Sequence, residues 1–127
     1  MGSGSEVWGY VASADDAQLD VADEQSGTER IVVDRVQSPG PAWVVVHADD
    51  NGMPGERVGL APIEQGESRD VEVELENVTT EKVIVAIHAD MGTPGEFDFD
   101  MMDKEASPDR PYFVDGKELA AVVTLTD

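Results

Sequence analysis

At 127 residues the chain is one domain's worth of sequence, with 28 Asp and Glu against 8 Lys and Arg and a formal charge of −20. Hydrophobic residues still make up 40%, enough for a core, which argues against an unstructured acidic tail; the lack of a basic patch argues against nucleic acid as a partner. No apolar run approaches the roughly 18 residues of a membrane span, and the absence of cysteine rules out disulfides, thiolate zinc sites, iron–sulfur clusters and thiolate copper.

Met1 to Ser5 (MGSGS) reads as an expression scar, which leaves residues 6–127 as a single domain. Trp8 and Tyr10 stand before the patterned region, as a first strand or an exposed edge. Ala12 to Asp23 could pass as a short acidic helix, but it lacks a persistent apolar stripe, and Gln18 to Ala22 could equally be a strand. Arg30 to Val36 and Trp43 to His47 are rich in β-branched residues and read as strands, separated by the turn Ser38-Pro39-Gly40-Pro41. Arg57 to Ile63 is a shorter candidate, followed by the turn residues Gln65-Gly66-Glu67. Val71-Glu72-Val73-Glu74-Leu75 alternates strictly, the pattern of a strand with one face on the core and one in water. Val83 to Ile87 is continuously apolar, as expected for a strand buried on both faces, and Glu96 to Asp100 alternates again before the last apolar strand, Leu119 to Leu125.

Seven or eight short strands at intervals of roughly 8–12 residues predict an all-β fold: an antiparallel β-sandwich, immunoglobulin-like or cupredoxin-like. Its core is expected to include Val44, Val46, Val71, Val73, Leu75, Val83, Val85, Ile87, Val122 and Val123, with Trp43 as an aromatic anchor.

One segment echoes another. Residues Trp43 to Glu56 can be laid over Ile84 to Glu96 with a gap at Asn51, so that His, Ala, Asp, Gly, Pro, Gly and Glu coincide. Each copy is an apolar strand ending in His-Ala-Asp, then a Gly/Pro turn. Two equivalent hairpins would carry His47 and His88 out of their strands at the same depth, at the same end of the sandwich.

These hairpins, with Gly59-Leu60-Ala61-Pro62, Phe97-Asp98-Phe99, Asp109-Arg110-Pro111-Tyr112 and Val114-Asp115-Gly116-Lys117, resemble a domain family of unknown function. That family occurs in secreted and cell-surface proteins of haloarchaea and some bacteria, often near blue-copper-type or other β-sandwich modules. The resemblance covers about Leu19 to Asp127; Met101-Met102 and Lys104 to Ser107 depart from the family's usual Pro-Gly-Pro-rich turn. It implies the sandwich fold and an extracellular or cell-surface location, and brings no activity with it.

The histidines are the first candidate site. His47, His88, Asp49, Asp90 and Met91 could share a metal, either a transition metal such as copper or zinc or, through the acidic loop Asp49-Asp50-Asn51-Gly52, calcium. Against this, two histidines are fewer than most closed transition-metal sites use, and no bidentate Glu falls at the twelfth position of a calcium loop. The plainer reading makes His-Ala-Asp a turn device, its imidazole hydrogen-bonded to backbone. Glu96, Asp98 and Asp100 share a strand face as a solvated acidic row. Nothing positions a nucleophile or an oxyanion donor, so no catalytic residues and no cofactor are assigned and the chain is read as a non-enzyme.

The acidity fits a high-salt setting, because a Debye length of about 3 Å at 1 M removes most of the self-repulsion of such a surface; the alternative is an ordinary acidic secreted domain that binds divalent cations. The expectation is therefore a structural, adhesion or interaction module of a secreted or surface protein. Its partners would be other domains of the parent protein or cell-surface components. The alternative is a small metal-binding accessory protein built on the paired His-Ala-Asp hairpins.

Overall fold

The runs of Val and Ile that favour a pleated backbone fold as strands, and no helix occurs among the described residues. The computed structural model describes residues 10–90 and 109–126. In chain order the strands are β1 (Tyr10–Ala12), β2 (Gln18–Val21), β3 (Glu24–Ser26), β4 (Arg30–Ser38), β5 (Ala42–Asp50), β6 (Met53–Ile63) and β7 (Gly66–Glu74). They continue with β8 (Lys82–Ala89), β9 (Tyr112–Val114), β10 (Lys117–Glu118) and β11 (Ala120–Thr126). These eleven described strands exceed the seven or eight expected because four of them, β1, β3, β9 and β10, are only two or three residues long.

A five-stranded sheet, β3-β11-β8-β5-β6, faces a three-stranded one, β2-β4-β7, and a small sheet β1-β9-β10 stands beside them. Pairing is antiparallel except where the short strands β1 and β3 lie parallel to β9 and β11. The main core lies between the large sheets: Val44, Val46, Val83, Val85, Ile87 and Val123 meet Ile31, Val33, Val36, Val73 and Leu75. The expected core holds with two corrections. Val71 is half-buried, and Val122 is 50% exposed because it pairs with Ile84, whose parity points away from the core.

The segment that could have been helix or strand is β2. Alone it has no apolar stripe to bury as a helix, whereas pairing with β4 (Leu19 opposite Val36) satisfies its backbone. Strands β5 and β8 are buried over most of both faces, as continuous apolar strands should be: on the second face Trp43, Val45, His47, Ala86 and His88 are buried and Ile84 is half-buried. The pleat of β4 changes phase near Asp34, opposite Asp70, which takes a φ of 51°. Val33 and Val36 therefore both point inward, and Arg35 turns out.

At one corner β6 passes directly over β7. Gly59 bridges Leu75, and the Glu76 N–H donates to the Val58 carbonyl at 2.9 Å. At the β3–β4 link the Gln25 carboxamide imitates a strand, accepting from the Val32 N–H at 2.9 Å and donating to the Val32 carbonyl at 3.0 Å.

Candidate functional site

The first histidine hairpin joins β5 to β6. Asp50 pairs with Met53, so the loop is the two residues Asn51 and Gly52, whose φ values of 54° and 89° are both left-handed. This is the turn whose twist matches that of the flanking strands, and Asn-Gly is the pair that adopts it most readily. Asp49 Oδ1 accepts the Gly52 N–H at 2.7 Å and braces it. A register shift between His47 and Asp49 swings the imidazole across the hairpin, where Nδ1 lies 2.9 Å from the Gly55 carbonyl oxygen. A carbonyl can only accept, so Nδ1 carries the proton and Nε2 the lone pair. The oxygen-rich loop Asp49-Asp50-Asn51-Gly52 is thus organised by an Asn-Gly turn, a hairpin signal that the dipeptide itself carries in the sequence.

The second histidine uses the same bond with a different partner. His88 Nδ1–H donates to the Asp109 carbonyl at 2.8 Å, His88 bridges Pro111, and the Ala89 N–H donates to the Arg110 carbonyl at 2.9 Å. The Asp90 N–H donates to the Pro41 carbonyl at 2.9 Å. Arg110 in turn lies over the Tyr10 ring, 4.8 Å from its centroid. Met91, like the alternating segment Glu96 to Asp100, lies outside the described residues.

The expectation that both histidines leave at the same end is overturned. Strands β5 and β8 are antiparallel neighbours, with Trp43 opposite His88 and His47 opposite Ile84. The histidines share a face but sit four residues apart along it, roughly 13 Å at about 3.3 Å per residue. Each ring is held by a carbonyl at its own end. Among the described residues no three His, Asp or Glu side chains lie close enough together to hold a metal ion.

Both rings are held neutral. Burial pushes the His88 pKa down to about 4, against a smaller upward pull from its bond to Asp109, with the His47 ring adding to the lowering and the Asp109 carboxylate opposing it. Burial also lowers that of His47, opposed by the Gly55 bond and reinforced by the Arg57 charge.

The carboxylates are distributed very differently. Among the described residues every Asp and Glu is exposed except Asp49, Asp90 and Glu118, which are half-buried, and Asp109, which is buried. On the outer face of β2-β4-β7 the out-turned Arg35 gathers several of the polar groups. Its Nε donates to Glu67 Oε2 at 2.8 Å and its guanidinium also reaches Gln18 and Gln37, while Arg69 meets the same Glu67 oxygen at 2.6 Å. These two arginines hold the Glu67 carboxyl below its ordinary range, the Arg35 hydrogen bond foremost.

Fold and site together define a strongly acidic β-sandwich domain in which each of the two buried histidines is hydrogen-bonded to a main-chain carbonyl. The chain belongs to the family described as Domain of unknown function (DUF7282), which matches it over residues 17–126. No curated protein and no solved structure matches it.

The turn makes a direct prediction. A Cβ on Gly52 would meet nothing within 4 Å, so Gly52→Ala is strained only by its φ of 89° and should cost about 1 kcal/mol in denaturant unfolding. Asp49→Asn keeps an accepting oxygen and should cost less. Equal costs would show that the brace, not the left-handed backbone, sets the hairpin's stability.

Proposed function

We propose that this domain is a non-enzymatic structural or adhesion module of a secreted or cell-surface protein adapted to high salt. Its partners would be other domains of the parent protein or cell-surface components. The observation that supports this is where the titratable groups lie: carboxylates cover the surface, while the two buried imidazoles are committed to main-chain carbonyls. Burying neutral, hydrogen-bonded histidines strengthens a scaffold, and the surface charge keeps it soluble where salt screens repulsion. The likeness of its hairpins to domains of haloarchaeal surface proteins supports the same setting.

Melting in sodium chloride tests this reading. Between 0.01 M and 1 M the Debye length falls from about 30 Å to about 3 Å. Relief of about 2 kcal/mol of repulsion would raise Tm by roughly 6–10 °C for a domain of this size. A Tm indifferent to salt removes the high-salt reading.

A second reading has its own support. With Nδ1–H fixed on a carbonyl, the Nε2 lone pair of His47 is oriented as in metal-bound histidines. Copper or zinc bound stoichiometrically by chelator-free protein, and lost in His47→Ala, would favour the metal-binding accessory role. Stabilisation by millimolar calcium at constant ionic strength, abolished by Asp49→Asn with Asp90→Asn, would favour the acidic loops instead.

A further inference from the structure

We propose that Asn77 is an N-glycosylation acceptor, so that the domain carries an oligosaccharide on the loop between β7 and β8. The inference rests on the reading of the domain as exported, since transfer of sugar to asparagine occurs on the far side of the membrane from the cytoplasm.

The chain has two asparagines. Asn51 is followed by Gly-Met, whereas Asn77-Val78-Thr79 has the hydroxyl two residues on and a non-proline between, the spacing an asparagine-glycosylating transferase requires. The loop presents that triplet well. Its ends are tied: Glu76 donates its N–H to the Val58 carbonyl, and Thr80 Oγ1 donates to the Lys82 carbonyl at 2.7 Å. Val78 packs against the core, which turns its neighbours Asn77 and Thr79 out to solvent. Among the described residues neither the Asn77 carboxamide nor the Thr79 hydroxyl has a hydrogen-bond partner. The two groups a transferase must grip are both available.

A purely structural explanation covers half of this. Asn77 has a φ of 59°, a conformation that asparagine tolerates better than most residues. That accounts for Asn77 and leaves the unengaged Thr79 unexplained. Beside the loop lies a shallow depression of about 500 Å³ lined by Thr28, Thr79, Thr80, Thr124 and Thr126, among others. Its hydroxyls could bond the first sugars of an attached chain. A glycan here adds hydrated bulk without adding to the charge of −20.

The donor is an oligosaccharide linked to a lipid phosphate. The Asn77 amide nitrogen attacks the anomeric carbon; the new C–N bond forms as the C–O bond to phosphate breaks. The lipid phosphate leaves with the bonding pair, and the nitrogen's proton passes to a base of the transferase. No redox change occurs.

The test is intact-mass and glycopeptide analysis of the protein exported from cells that have such a transferase. The wild-type protein should gain the mass of a whole number of sugar residues, located on the Asn77 peptide. Thr79→Ser should keep the modification. Thr79→Val, which preserves shape, and Asn77→Gly, which preserves the backbone, should each lose it completely. An exported wild-type protein with unmodified Asn77, or a modification that survives Thr79→Val, overturns the proposal while leaving the exported reading intact. Recovery of the parent protein from the cytoplasm of its own cells overturns both.

Discussion

The free energy of unfolding should fall by about 3 kcal/mol between pH 6.5 and pH 4 through His88 alone. Its folded-state pKa is lowered to about 4 from 6.5, and each unit of difference is worth about 1.4 kcal/mol. About a unit or more above 6.5 the ring is neutral in both states and contributes no pH dependence. As the pH drops, the unfolded chain takes up a proton that the buried, carbonyl-bonded ring refuses, so the unfolded state gains. The loss is complete once the pH passes the folded-state value. His47, also lowered by burial, adds a smaller loss in the same direction. Protonation of the surface carboxylates works the other way, because it relieves repulsion, so the experiment belongs in molar salt. Denaturant unfolding of wild type and His88→Gln across this range isolates the ring. The variant should be the less stable at pH 7, where the Asp109 carbonyl loses its imidazole donor, and the difference should shrink or reverse toward pH 4. Parallel curves would show that His88 is readily protonated in the folded state.

Gly59→Ala should destabilise the fold by about 1–3 kcal/mol through overpacking at the corner where β6 crosses β7. An added Cβ would lie 2.8 Å from Leu75 Cδ2, 3.0 Å from Val73 Cγ1 and 3.1 Å from the Glu74 carbonyl oxygen. Leu75 can swing its side chain; Val73, fully buried, and the main-chain oxygen cannot. Gly55→Ala is the control, since its Cβ would come no closer than 3.3 Å to any heavy atom and should cost less. Truncating Leu75 to alanine should recover part of the Gly59→Ala penalty, a non-additivity expected of residues in contact. Equal losses for Gly59→Ala and Gly55→Ala would mean that the corner yields, and that the two sheets are held elsewhere.

Asn51-Gly52 and Asp115-Gly116 show how much local structure could be read directly. Each is a two-residue loop closing a hairpin with both residues at positive φ, and such dipeptides adopt that turn because of their own steric freedom. Likewise the alternation from Val71 to Leu75 and the apolar run from Val83 to Ile87 declare strands without reference to their neighbours, because period and branching are properties of the segment itself.

The relation between the histidines belongs to the other category. Identical short sequences on strands that pair antiparallel must place their shared positions at opposite ends, and nothing within either copy reports the direction of its neighbour. The choice of strand over helix at Gln18–Val21 was made by β4, and the outward turn of Arg35 by a break in the pleat that needs Asp70 across from it. Val122 looks like core by composition and is exposed by register. The sequence by itself determined the long alternating and apolar strands, the Asn-Gly and Asp-Gly turns and the abundance of carboxylates, because these follow from side-chain shape, backbone freedom and charge along a few consecutive residues. The tertiary structure alone decided which carbonyl each imidazole found and which face each valine took, because strand order, direction and register arise from contacts between residues far apart in the chain.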